Sequence, residues 1–117
     1  MREVRIVGPR GLRLDALIPE THRERARGLI GRANLATDEA LLLEHTRSIH
    51  TFGMRFTISV FLLDDELVVR AVRSIPPNRL LLPRPGVRHI LECAKCADVR
   101  LHDRVAFERL DVAPTRA

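Results

Sequence analysis

The side chains best suited to chemistry in this sequence are two cysteines and a handful of histidines. Cys93-Ala94-Lys95-Cys96 has the C-x-x-C spacing, at which two thiolates can converge on one zinc ion or cycle between dithiol and disulfide. A structural zinc site needs four ligands and there is no second cysteine pair, so a metal site would have to recruit His89 or His102. Redox use favours a thioredoxin-like βαβ setting, which this sequence does not supply. The first expectation is therefore two incidental thiols, buried or half-buried, with metal binding or redox chemistry through Cys93, Cys96 and a histidine as the alternative. His45 and His50 are the other pair. On a strand, residues five apart point to opposite faces, which argues against shared ligation unless the chain bends between them. Phe52 and Met54 flank Gly53 and could wall a small apolar pocket, although such residues also serve simply as core. Arg55, and Arg32 at a helix end, could then offer positive charge to an anionic ligand at its rim, although solvated surface is the first expectation for each. No nucleophile elbow, phosphate loop or dinucleotide fingerprint is recognisable, and no cofactor is expected.

These groups need a frame, and the stretch Ser48 to Asp64 organises it. Met54, Phe56, Ile58, Val60 and Leu62 are apolar, with Gly53, Arg55, Thr57 and Ser59 between them. That period of two predicts a strand with one face buried. Phe61 and Leu63 add apolar side chains to the other face, so the far end is expected to be covered on both sides. Asp64-Asp65-Glu66 forms an acidic turn, and Leu67 to Arg73 returns as the partner strand.

Around this hairpin the chain reads as a series of short strands. Glu3–Val7 and Leu12–Ile18 make an N-terminal hairpin about Gly8-Pro9-Arg10-Gly11. Thr21-His22-Arg23-Glu24 has the form of a capping box and opens a helix over residues 21–31, with Ala26, Leu29 and Ile30 as its apolar stripe, the arginines largely turned to water and Gly31 closing it. Gly28 inside that helix is expected to serve close approach of another backbone. Ala40–Glu44 is a buried strand. The prolines at 76, 77, 83 and 85 withhold amide donors and mark an ordered surface loop or edge. Val87 to Cys93 is a further strand, Ala94 to Asp98 one helical turn, and 99–101 and 105–107 short final strands, with 108–117 a frayed tail. One short helix among seven or eight strands predicts a mainly β fold, a single-domain β-sandwich or distorted barrel over residues 1–117.

Three segments in this order resemble one known family. They are T-H-R-E-R-A-R-G-L-I-G-R at 21–32, I-H-T-F-G-M-R-F at 49–56 running into V-F-L-L-D at 60–64, and I-L-E at 90–92. The chain is similar to the domain of unknown function 192 family from about residue 13 to 107. That resemblance implies a compact, jelly-roll-like β domain and no established activity. The chain departs from the family pattern in having Ile30 where Met is usual, Ser59 where Asp is usual, and His102-Asp103 where Gly-Asp is usual. The Cys93/Cys96 pair is not a general family feature. Because His50 and Glu92 fall in the matched segments, they become the preferred polar pair at one end of the fold, against the plainer possibility that both satisfy backbone groups around an irregular loop.

Composition narrows the function classes. Twenty basic side chains, nineteen of them Arg, oppose fifteen acids for a net charge of +5, and the two halves of the chain share the excess as +3 and +2. Nucleic-acid footprints normally cluster, and single-stranded binders need aromatic platforms, whereas this chain has four Phe and no Trp or Tyr. Nucleic acid is thus an unlikely partner, leaving weak anion or nucleic-acid binding through the arginines as a minor alternative. No apolar run approaches the ~20 residues that span a bilayer, and no leader is recognisable, so a soluble, cytoplasmic protein with reduced thiols is expected. The functional expectation is a non-enzymatic binding or accessory domain whose cleft, lined by His50, Phe52, Met54, Arg55 and Glu92, takes an unidentified small molecule or protein segment.

Overall fold

The N-terminal hairpin forms as expected: β1 (Arg2–Gly8) and β2 (Leu12–Ile18) pair antiparallel, Ile6 opposite Leu14 and Val4 opposite Ala16, around a 3-10 turn at Pro9–Gly11. A computed structural model of the chain describes residues 1–94 and 97–108. Helix α1 (His22–Arg27) follows, and its capping box is complete: the Glu24 amide donates to Thr21 Oγ1 at 3.1 Å, and the Thr21 amide donates to the Glu24 carboxylate. The helix is shorter than the predicted 21–31. Gly28 ends it at φ 49°, ψ −122°, a conformation that only glycine adopts without strain. No backbone crowds this position, where a Cβ would meet nothing nearer than 3.8 Å, so its backbone angles rather than close approach explain the glycine. The expected apolar stripe is also incomplete: Ala26 is exposed, and only Leu29, past the helix end, is buried.

The remaining strands are β3 (Glu39–Leu43), β4 (Ile49–His50), β5 (Ile58–Leu63), β6 (Val69–Ile75), β7 (Leu80–Leu81), β8 (His89–Cys93) and β9 (Ala106–Phe107). Of the nine strands among the described residues, seven form one sheet in the order β6-β5-β8-β3-β2-β1-β9, curled into a half-barrel, while β4 and β7 make a separate two-stranded ribbon. The pairs are antiparallel except β2 with β3, which run parallel. A parallel neighbour cannot be reached by a tight turn, so the chain must cross over between them, and that crossover carries α1.

The sheet buries both faces. Alternate residues of the central strands enter two clusters: Phe61, Leu63, Leu91, Cys93 and Leu42 on one face, and Ile58, Val60, Leu62, Ile90, Leu41 and Leu43 on the other. The second face is covered by Leu29 and Leu35 from the crossover and by Met54. The even-numbered parity read from the sequence is therefore right, and the extent of the strand is not. Between His50 and Ile58 the chain leaves extended geometry, and Met54 reaches the core from a loop. A register shift between Leu62 and Leu63 sets Val69 opposite Leu63 and Ala71 opposite Leu62. The unopposed Arg70 between them explains why Val69 and Ala71, two apart, join different clusters.

Other expectations need smaller corrections. Residues 99–101 form no strand, although Val99 is buried. Glu108 is not frayed: its amide donates to the Arg5 carbonyl at 2.8 Å and its carboxylate meets Arg5 and Arg13. Residues 109–117 of the expected tail and residues 95–96 of the expected helical turn lie outside the described residues. Many arginines are paired on the surface, among them Arg10 with Asp98 and Asp103, Arg70 with Asp64, and Arg100 with Asp98. Such pairs contribute little to stability, at most about 1 kcal/mol each, but they break up the positive field.

Phe61 and Phe52 test this account together. Phe61 is 1% exposed at the centre of one face and Phe52 is 50% exposed. Phe61→Ala is expected to lower stability by roughly 3–5 kcal/mol and Phe52→Ala by less than about 1 kcal/mol, as measured by urea denaturation.

Candidate functional site

Glu92 occupies the least hospitable position a carboxyl can have in this sheet. Strand β8 lies between β3 and β5, with Glu92 opposite Leu41 on one side and Val60 on the other. It shares its face with Ile90 and Ala94, in the cluster that also holds Leu41, Leu43, Val60 and Leu62. The residue is 4% exposed. Burial pushes its pKa up to about 7, with no charge among the described residues contributing. Among the described residues no protein group hydrogen-bonds the carboxyl. Its oxygens are nevertheless not sealed in, because no fully enclosed side-chain oxygen lacks a partner.

The opening is a cleft of about 290 Å³, and Glu92 lies in its lining with Leu43. One wall is the last turn of α1 and the loop after it, from Arg25 to Ile30. The facing wall comes from the segment leading through β4: Thr46, Ser48, Ile49, His50 and Met54. Three of the five residues proposed from sequence, His50, Met54 and Glu92, thus share one cavity, whereas Phe52 and Arg55 do not line it. The reason is a turn. The Met54 amide donates to the Thr51 carbonyl at 3.1 Å, and Gly53 takes φ 81°. This is the residue pattern of a type II turn, with glycine at the position needing positive φ. The turn leaves Phe52 exposed and Met54 buried, where continuous strand geometry would have kept residues 52 and 54 on one face.

His50 and Glu92 do not bond each other among the described residues. The His50 Nδ1 accepts from the Phe52 amide at 3.2 Å, so the neutral ring carries its proton on Nε2, and the two rings stack with centroids 5.2 Å apart. Arg32 is not at the rim either, since it pairs with Glu39 at 3.0 Å.

Of the cysteine constellation, Cys93, His89 and His102 lie among the described residues and form no metal-binding group there. Cys93 is fully buried on the opposite face of β8 from Glu92, and burial, with the Glu92 charge behind it, pushes its thiol up. That favours the protonated form, the reverse of what a zinc ligand or redox nucleophile requires. Cys96 lies outside the described residues. His89 is buried, and its Nδ1 accepts from the His45 amide at 3.0 Å. Burial first and His45 second hold it below the usual histidine range, and the two rings meet edge-on at 5.1 Å. His102 is exposed. Among the described residues no group of three or more His, Cys, Asp or Glu side chains is arranged to hold a metal ion.

A family model, DUF192, described as "Uncharacterized ACR", matches residues 5–101. The chain belongs to the DUF192 family. Two solved structures share its fold. One is a protein of unknown function from Novosphingobium aromaticivorans, with TM-score 0.73 and 17% identity, covering 89% of this chain and 83% of that one. The other is a putative transcription regulator from Sinorhizobium meliloti, with TM-score 0.73 and 19% identity, covering 90% and 92%. At these identities the likeness is one of fold. A comparison with curated proteins finds no match. Among the described residues of this DUF192 chain, no helix is long and apolar enough to cross a membrane.

Thr51, which the sequence offers only as a neighbour of His50, holds the cleft wall of this DUF192 protein in place. Its side chain is wholly buried. The hydroxyl donates to the Pro76 carbonyl at 2.7 Å and accepts from the Arg79 amide at 2.8 Å. Its own amide donates to the Arg79 carbonyl, and its carbonyl accepts from Asn78. Thr51 thereby fastens the cleft wall to the proline-rich loop. The only trace of this in the sequence is a hydroxyl residue two places before the turn glycine, a common turn pattern.

Two predictions follow from this geometry. Thr51→Val leaves the part-buried Arg79 amide and Pro76 carbonyl without this partner and should cost roughly 1–3 kcal/mol, with faster amide exchange over 49–54, while Thr51→Ser should recover most of the loss. The Glu92 carboxyl binds its proton more tightly folded than unfolded. Stability from this group is full below the unfolded value of about 4.3 and is lost as pH rises towards the folded value of about 7. Wild type should therefore lose up to about 3 kcal/mol relative to Glu92→Gln between about pH 4 and pH 8 in denaturation experiments. A constant difference between the two proteins across that range would show that Glu92 is not desolvated.

Proposed function

We propose that this protein is a binding module that takes a small molecule in the cleft over β8 and catalyses no reaction itself. The observation that carries this reading is the buried Glu92 carboxyl, which no described residue hydrogen-bonds. A buried carboxyl without a hydrogen-bond donor costs free energy, which its raised pKa expresses. The cleft is where a partner from outside can reach it. A concave, mostly apolar site with a few convergent polar groups and one perturbed titratable residue is the usual form of a small-molecule site. Thr46, Ser48 and His50 supply the additional polar groups.

The binding reading is favoured over an enzymatic one by how these groups are used. Glu92 and His50 are not hydrogen-bonded to each other or to a nucleophile among the described residues. The arrangement therefore lacks the nucleophile, base and orienting group in mutual contact that acyl or phosphoryl transfer would need.

A fragment screen by protein-observed NMR tests the proposal. Fragments are expected to shift amides in residues 25–30 and 46–54. Replacement of Glu92 by Leu, which suits the surrounding apolar layer and keeps the fold, should weaken those fragments by about tenfold or more. Hits confined to other surfaces, or hits indifferent to the Glu92→Leu change, would refute it.

A further inference from the structure

We infer that the ligand of this cleft is a small organic cation, an ammonium or amidinium group on a short apolar tail, seated with its charge on Glu92 and its tail against Leu43 and Met54. The inference rests on the binding reading above and adds the chemical class.

Charge is the first ground. Among the described residues an ionised Glu92 has no cationic partner: none contributes a charge to its shift and none bonds it. A neutral ligand would leave that charge buried and uncompensated, and an anion would add repulsion in a medium of low dielectric. Arg25 is in the wall, yet its guanidinium lies 3.5 Å from His22 Nδ1. Neither Arg25 nor Arg27 supplies Glu92 with a counter-charge.

The acceptors close to Glu92 are the second ground, because they stand beside its carboxylate in the same cleft. The Thr46 hydroxyl spends its proton on the Glu44 carbonyl at 3.0 Å, leaving its lone pairs. The wall from α1 is the carbonyl-bearing end of the helix. Among the described residues the Arg25 and Ala26 carbonyls accept no backbone hydrogen bond, and a helix C-terminus favours positive charge. A carboxylate, a hydroxyl acceptor and free carbonyls suit a group with several N–H donors.

Size and coordination complete the class. At about 290 Å³ the cleft is at the small end of small-molecule sites, which run from about 300 to 1,000 Å³. A hard divalent metal would require more oxygen ligands than one carboxylate provides, typically six or more for calcium.

The experiment compares n-butylammonium, valeramide and valerate, which have similar tails and differ in charge, by NMR titration of wild-type protein and Glu92→Gln at mildly alkaline pH. Butylammonium is expected to shift the cleft amides and to bind at least about tenfold more weakly to the variant. Its affinity should also fall as the pH is lowered through about 7, by up to about tenfold per pH unit. The groups on elements around Glu92 that bear on this profile are Arg25 and Arg27 on α1, His50 on β4 and Cys93 on β8, while β3 and β5 present Leu41 and Val60. A Glu92→Gln protein that keeps the same pH dependence would transfer the effect to His50 and overturn the inference. Equal or tighter binding of valeramide or valerate in the cleft would overturn the cationic class and leave the cleft as a binding site. No cleft shift with any of the three would overturn the class as well, and the Glu92→Leu fragment screen then decides the cleft itself.

Discussion

Because β8 is hydrogen-bonded along both edges, to β3 and β5, and covered on both faces, every side chain on it must be apolar or answered by a partner. Ile90, Leu91 and Cys93 meet the first condition. His89 meets the second through the His45 amide. Glu92 meets neither within the described protein, and its desolvation is the physical fact from which the rest of the site takes its meaning.

The cleft exists because the covering of that face is incomplete. Parallel pairing of β2 with β3 obliges the chain to cross over, and the crossover lays α1 and Leu29 over one part of the sheet. The turn at Thr51 to Met54, fastened to the proline-rich loop, brings Met54 over another part. Between these two covers Glu92 keeps its access. The same β8 backbone sends Cys93 to the opposite face, where it is packed as a small apolar residue.

Several expectations failed for a common reason. The alternation from Met54 to Leu62 predicts one strand, yet Gly53 and Thr51 turn the chain and β5 begins only at Ile58. Met54 still points to the face its parity implied, because a side chain from a loop can fill the same apolar layer as one from a strand. The helix was extended to Gly31 because periodic apolar residues continue past its end, whereas the backbone angles of Gly28 stop it. Phe52 and Arg55 were grouped with His50 by proximity in sequence, and the turn separated them from the cleft. The structural role of Thr51 is not legible in the sequence because it lies in hydrogen bonds to residues 76–79, and no local pattern announces partners so far along the chain.

What the sequence by itself determined is local. The capping box, the N-terminal hairpin, the two-sided burial of β5 and the mainly β class all follow from residue types within a few positions of one another. The resemblance of three segments also singles out His50 and Glu92, both of which line the cleft. Only the tertiary structure decided that Glu92 is flanked by Leu41 and Val60, that Cys93 faces away from it, and that α1 and the Thr51 segment leave a gap above it. Those outcomes depend on which strands become neighbours, and β8 pairs with segments dozens of residues earlier in the chain. Such pairings are chosen by the summed burial of two apolar faces, a property of the whole sheet and of no single stretch.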